Sequence, residues 1–144
     1  MGISDIIENY IKEMFEDERD DKIYNLIITK GVDLNNEYGQ FTEKLFSKVE
    51  FLWKESMSGS YSSAGEAFYQ KVDRIIMLSG LYNDNKELFE DLLAAGDKYN
   101  IPLVLVRPLG LEEVPEKLEE KAATIVGWNA NCIVDSIKDA EETM

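Results

Sequence analysis

The sequence has no histidine, one cysteine and three prolines, and its 15 basic residues are outnumbered by 29 acidic ones. Without histidine, the usual zinc ligand sets and the Ser-His and Cys-His nucleophile pairs are absent. The lone Cys132 has no partner for an internal disulfide. The longest apolar stretch, residues 101–106, is interrupted by Pro102 and falls far short of the roughly 20 residues of a membrane helix. Asp5 and Glu8 stand where a secretory signal would carry lysines and an apolar run, so a cytoplasmic location is expected. A net charge of −14 repels phosphate backbones and anionic lipid, and neither nucleic acid nor a membrane is an expected partner. Neither the GxGxxG nor the GxxxxGK[ST] pattern occurs, which removes Rossmann dinucleotide binding and the P-loop NTPases.

What is present suits one domain. A chain of 144 residues with 44% hydrophobic and 10% aromatic content can bury a core without staples. The acid excess lies at the ends: residues 1–21 and 111–144 each carry a net −6, and residues 22–110 only −2. Solvated helix faces account for it, an acidic docking tail being the other reading.

Residues 3–15 repeat apolar side chains at Ile3, Ile6, Ile7, Tyr10, Ile11, Met14 and Phe15, the spacing of an amphipathic helix, and an acidic linker runs to Asp21. Residues 1–21 are thus expected outside the main domain, 22–144, packed on it or on another chain and so capable of making a homo-oligomer. Strands are predicted at residues 22–29, 51–53, 74–78, 102–106 and 124–126, each short, apolar and bounded by turn residues. Helices are predicted between them at 36–49, 64–71, 84–99 and 116–123, and a last one at 129–142 turns Ile133, Val134 and Ile137 inward. Strands alternating with helices require an α/β fold with a parallel sheet and right-handed crossovers. The expected architecture is a three-layer, flavodoxin-like sandwich with five parallel strands in the order 2-1-3-4-5.

Such sheets bind ligands beyond the carboxyl ends of the strands where the winding reverses, here after the first and third. The candidate ligand-binding residues are Thr29, Lys30 and Gly31 at one end and Ser79, Gly80, Tyr82 and Asn83 at the other, with Arg107 and Trp128 after the fourth and fifth strands. Several residues at these strand ends have a plainer reading. Gly31 and Gly80 serve as backbone bends, Arg107 as part of a turn, Trp128 as rim packing and Asn129 as a helix cap. Cys132 is expected to be buried and inert, and the methionines to be core. The loop after the first strand, KGVDLNN, lacks the hydroxyls an FMN phosphate needs; the acid pair and lysine of a phosphoacceptor receiver are also missing.

From Arg74 to Ala140 the chain carries a hydrophobic strand ending in Ser79-Gly80-Leu81-Tyr82, then Ile101-Pro102, Arg107-Pro108-Leu109-Gly110, and Val126-Gly127-Trp128-Asn129. In this order and spacing they resemble the TIR-like family, which includes the ThsB subunit of Thoeris antiphage defence and small archaeal stand-alone domains. The resemblance implies a TIR-type flavodoxin-like sheet, a signalling role with a partner protein, and NAD or an NAD-derived nucleotide as substrate or ligand. No resident cofactor or metal is implied. ThsB-type members place a glutamate in the helix after the third strand; gapless counting from Tyr82 to Pro102 puts Leu92 there, with Glu90 and Asp91 beside it. The expectation is a ligand- or partner-binding domain that processes NAD slowly or not at all. The rival is a non-catalytic interaction module, and behind both stands a flavoprotein or receiver-like regulator.

Overall fold

Three runs of this chain are apolar at almost every position and have no face to give to water, so they can be strands only if both faces are covered. In the computed structural model, which describes residues 22–30, 36–83, 85–107 and 114–140, these runs are the three central strands of the sheet. The elements in chain order are β1 (Tyr24–Ile28), α1 (Asn36–Phe46), β2 (Trp53–Glu55), α2 (Glu66–Tyr69), β3 (Arg74–Leu78), a 3-10 turn (Ser79–Leu81), α3 (Lys86–Tyr99), β4 (Leu103–Val106), α4 (Glu116–Lys121), β5 (Thr124–Val126) and α5 (Ala130–Asp139). Every strand pairing is parallel, and the order is β2-β1-β3-β4-β5. The fold is the expected α/β, flavodoxin-like arrangement. Residues 1–21, with the helix expected at 3–15, lie outside the described residues.

Helices cover both faces of the sheet. On one, α1 packs with α5, where Ile133, Val134 and Ile137 are buried as their spacing requires. On the other, α2 meets α3, and α3 is tied to α4 by Lys117 to Glu90 at 2.5 Å and Lys121 to Asp97 at 3.0 Å. Leu26, Ile27, Phe41, Leu45, Ile75, Ile76, Leu78, Phe89, Leu92 and Ile137 are among the fully enclosed core side chains. Each such burial contributes about 1.5–3 kcal/mol relative to exposure. Helix α3 ends at Asn100, whose backbone is left-handed (φ 55°) and whose N–H donates to Gly96 O. Asparagine tolerates that conformation better than residues other than glycine, and Ile101-Pro102 can then turn directly into β4.

Several boundaries differ from the sequence reading. The second strand is Trp53–Glu55 rather than 51–53, because Phe51 is spent stacking on Tyr24 at 5.4 Å while Trp53 takes Tyr24 as its register partner. Helix α1 stops at Phe46, so Val49 is exposed in the following turn instead of facing inward. The helix expected at 64–71 is a single turn, 66–69, and the last helix ends at Asp139. Met77 is core but Met57 is 58% exposed in the loop after β2.

One buried polar residue interrupts the apolar run of β1. Asn25 donates through Nδ2 to Lys71 O (2.7 Å), accepts from Ser56 Oγ (2.5 Å), and its backbone N–H donates to Asp73 Oδ2 (2.8 Å). Those bonds fasten the connections on either side of α2 to the middle of the sheet, and they satisfy polar atoms that burial would otherwise penalise.

Tyr69 is enclosed beneath α3, stacked on Tyr99 at 4.6 Å and donating its hydroxyl to Tyr61 O. Burial is the first cause that pushes its phenol up, to about 12, followed by the neighbouring Tyr99 hydroxyl. A raised folded-state value means that stability is complete below the ordinary tyrosine pKa near 10 and is lost as pH climbs from there toward 12. Urea unfolding at pH 8, 10 and 11 should show wild type losing more stability across that range than Tyr69→Phe.

Candidate functional site at the carboxyl ends of the strands

The winding reverses between β1, which feeds β2 on one side, and β3, which feeds β4 on the other. Their carboxyl ends are stitched together by side chains. Thr29, fully buried, accepts the Leu78 N–H on Oγ1 at 2.9 Å while its own N–H donates to Ile76 O at 3.0 Å. Asn85 donates through Nδ2 to Lys30 O at 3.3 Å, joining the turn after β3 to the end of β1. Thr29 is therefore a structural bolt between strands, and Lys30 is the first side chain beyond it.

Lys30 belongs to a charged group on the β2 side. Its ammonium lies 3.1 Å from Glu55 Oε2, 4.9 Å from the centre of the Tyr38 ring and 3.5 Å from Met57 Sδ. Glu55 also accepts the Tyr38 hydroxyl through Oε1 at 2.5 Å. Burial, then the hydrogen bond and charge of Glu55, push the Tyr38 phenol well above the ordinary tyrosine range, so it remains a donor at any physiological pH.

On the β3 side, Ser79 is buried and its Oγ has no hydrogen-bond partner, whereas Gly80 is exposed. The Glu37 carboxylate, from the first turn of α1, fills the space where a side chain at residue 80 would begin: a Cβ there would lie 2.9 Å from Glu37 Cδ and closer still to both oxygens. Oε2 of Glu37 is excluded from solvent. Neither Glu37 nor Glu55 was among the sequence candidates. The available signal was positional, an acid in the first turn of the helix after β1 and another ending β2.

The remaining candidates separate. Tyr82 is half-buried and packs edge-on against Phe89 of α3 at 5.4 Å, with Lys86 beside its ring. Asn83 and Arg107 are exposed, the latter donating its backbone N–H to Val126 O at 2.9 Å. Trp128 lies on the other face of the sheet, 6.3 Å from Phe41 and 5.7 Å from the Lys44 ammonium, which is the rim-packing reading. Asn129 caps α5 by accepting the Cys132 N–H at 3.1 Å. Cys132 itself is exposed, contrary to expectation, because residue 132 falls on the outer side of α5 when Ile133, Val134 and Ile137 face the sheet. Gly31 lies outside the described residues.

The acids of α3 divide likewise. Leu92 is wholly buried against the sheet, Glu90 points outward to Lys117, and Asp91 lines a cavity of about 160 Å³ with Tyr61, Tyr69 and Tyr99. Among the described residues no three His, Cys, Asp or Glu side chains converge as a metal site, and no helix is long and apolar enough to cross a membrane. No family model matches the chain, and no curated protein matches it in sequence.

Two measurements test this geometry. Thr29→Val keeps shape but leaves the buried Leu78 N–H without an acceptor, a loss of about 1–3 kcal/mol in urea unfolding that Thr29→Ser should largely avoid. Gly80→Ala should lower stability by less than about 1 kcal/mol, the cost of moving the flexible end of Glu37 aside. Built on Glu37→Ala, the same change should cost almost nothing, and that coupling in a double-mutant cycle identifies the contact.

Proposed function

We propose that this protein is a TIR-like signalling domain, of the kind found in antiphage defence, that binds a nucleotide-derived ligand at the carboxyl ends of β1 and β3 and does not cleave NAD at an appreciable rate. The observation that carries the non-cleaving part of this reading is Leu92. In the resemblance, that position of the helix after β3 holds the carboxylate that stabilises positive charge on the ribose as nicotinamide leaves; here it holds an enclosed leucine. Losing such a group commonly costs a hundred- to a thousandfold in rate, about 3–4 kcal/mol of barrier. The neighbouring acids do not replace it, since Glu90 is engaged by Lys117 and Asp91 faces the tyrosine cavity. The acids that do flank the switch point, Glu37 and Glu55, come from the opposite side, and Glu55 is neutralised by Lys30. They favour hydroxyl-bearing parts of a ligand, such as a ribose, over bare phosphate.

A second reading, the interaction module, draws on a different observation: apolar side chains exposed at the end of α1 and in the turn before β2, Phe46, Val49 and Leu52. It is compatible with the first, because a signalling domain needs a surface as well as a site.

Incubation of the purified protein with NAD, followed by chromatography and mass spectrometry, should give nicotinamide release at the level of a protein-free control. Thermal melts with NAD or ADP-ribose at concentrations far above Kd should rise by several degrees, because ligand binding to the folded state alone adds stability. Turnover that disappears in Glu90→Gln or Asp91→Asn would replace the binding reading with an enzymatic one.

A further inference from the structure

The loop after β2 is anchored at both ends. Ser56 donates its backbone N–H to Leu26 O at 2.8 Å and its hydroxyl to Asn25 Oδ1 at 2.5 Å, and Tyr61 O accepts the Tyr69 hydroxyl. Between those anchors Ser58 and Ser60 bond to one another, Ser60 N–H donating to Ser58 Oγ at 3.2 Å and Ser58 Oγ to Ser60 O at 3.1 Å. Met57 is the residue that reaches back to the sheet. Its side chain is 58% exposed, and its Sδ lies 3.5 Å from the Lys30 ammonium. The ammonium is itself fixed, by Glu55 Oε2 at 3.1 Å and over the Tyr38 ring at 4.9 Å. The thioether therefore turns one side to solvent and rests the other against a positioned cation.

We propose that Met57 is a peroxide-sensitive latch, whose oxidation to the sulfoxide fastens residues 57–60 to Lys30 at the carboxyl end of β1. A sulfur lone pair attacks one oxygen of hydrogen peroxide, the O–O bond breaks and water leaves. Sulfur loses two electrons and the peroxide gains them. A thioether is a weak acceptor, whereas the new oxygen is a strong one and arrives beside a donor that is charged. Oxidation of a methionine packed on apolar groups loosens the contact; against an ammonium the sign reverses. Lys30 has three donors, so it can serve the sulfoxide and keep Glu55, whose side chain is only 10% exposed. Lys30 is also the first side chain beyond Thr29, and a fastened loop leaves its ammonium less open to an anion arriving at the strand ends. Neither the contact nor its oxidation depends on which ligand binds there.

Treatment of the full chain with hydrogen peroxide, followed by peptide mapping, should convert Met57 to the sulfoxide while Met77, 1% exposed in β3, stays a thioether. In quench-flow hydrogen exchange, amides of residues 57–60 should then exchange about three- to tenfold more slowly than in the reduced protein, with those of β4 unchanged. Acetic anhydride should modify Lys30 more slowly as well. Met57→Gln, whose amide oxygen stands in for that of the sulfoxide, should show the slower exchange without oxidant. Lys30→Ala/Glu55→Gln removes both charges together, so that no buried carboxylate is left alone; in this variant oxidation should give the loop no protection. Faster or unchanged loop exchange in the oxidised wild type, equal protection in the variant without Lys30, or a Met57 that resists peroxide as long as Met77 does would each overturn the proposal.

Discussion

Coverage of β1, β3 and β4 on both faces is the constraint on which the remaining structure depends. A strand with no solvent face admits polar atoms only where each finds a partner, so its sequence becomes nearly continuous Ile, Leu, Val and Met. In β1 and at its carboxyl end two polar residues are admitted under that rule, and each does architectural work. Asn25 holds the connections around α2 against the middle of β1, and Thr29 lends its hydroxyl to an amide of β3 where backbone pairing gives out. The side chains able to meet a ligand begin only after these two are spent, which is why Lys30, Gly80, Glu37 and Glu55 lie at the rim and Thr29 does not.

That rule also explains what the sequence made legible. Strands β3, β4 and β5 were found within a residue because their apolar runs end in groups that break them: Ser79-Gly80, Arg107-Pro108 and Gly127. Alternation and handedness pointed to a parallel sheet, and the order 2-1-3-4-5 came from the flavodoxin-like arrangement expected of such a sheet. Strand β2 was misplaced because an edge strand of three residues has weak patterning, and a neighbouring Phe-Leu pair looks more strand-like than Trp-Lys-Glu. Only the tertiary contact of Phe51 with Tyr24 decides between them. Cys132 and Met57 were misassigned by residue type, which says what commonly happens to thiols and thioethers rather than which side of α5 or of a loop they occupy.

The candidate site was legible as a place more than as a set of residues. Topology pointed to two strand ends, and the bonds from Leu78 N–H to Thr29 and from Asn85 to Lys30 show these ends to be physically joined. The acids at that place were invisible beforehand, because Glu37 and Glu55 belong to α1 and β2, whose side chains reach the switch point only through the crossover that folds them over β1. Trp128 illustrates the converse: it ends a strand, as a ligand contact should, yet the side chain turns to the α1 face and packs on Phe41.

The pairing of β1 with β3 joins Leu26 to Arg74 and Ile28 to Ile76, residues 48 apart in the chain. The heart of the sheet is consequently assembled from its most distant neighbours, and the chain must close a loop that contains α1, β2 and α2 before β1 and β3 meet. Loop closure of that length is opposed by entropy that no local contact repays in advance. Of all the strand pairings in the sheet, this one therefore carries the largest cost of loop closure, and it raises the contact order of the whole fold.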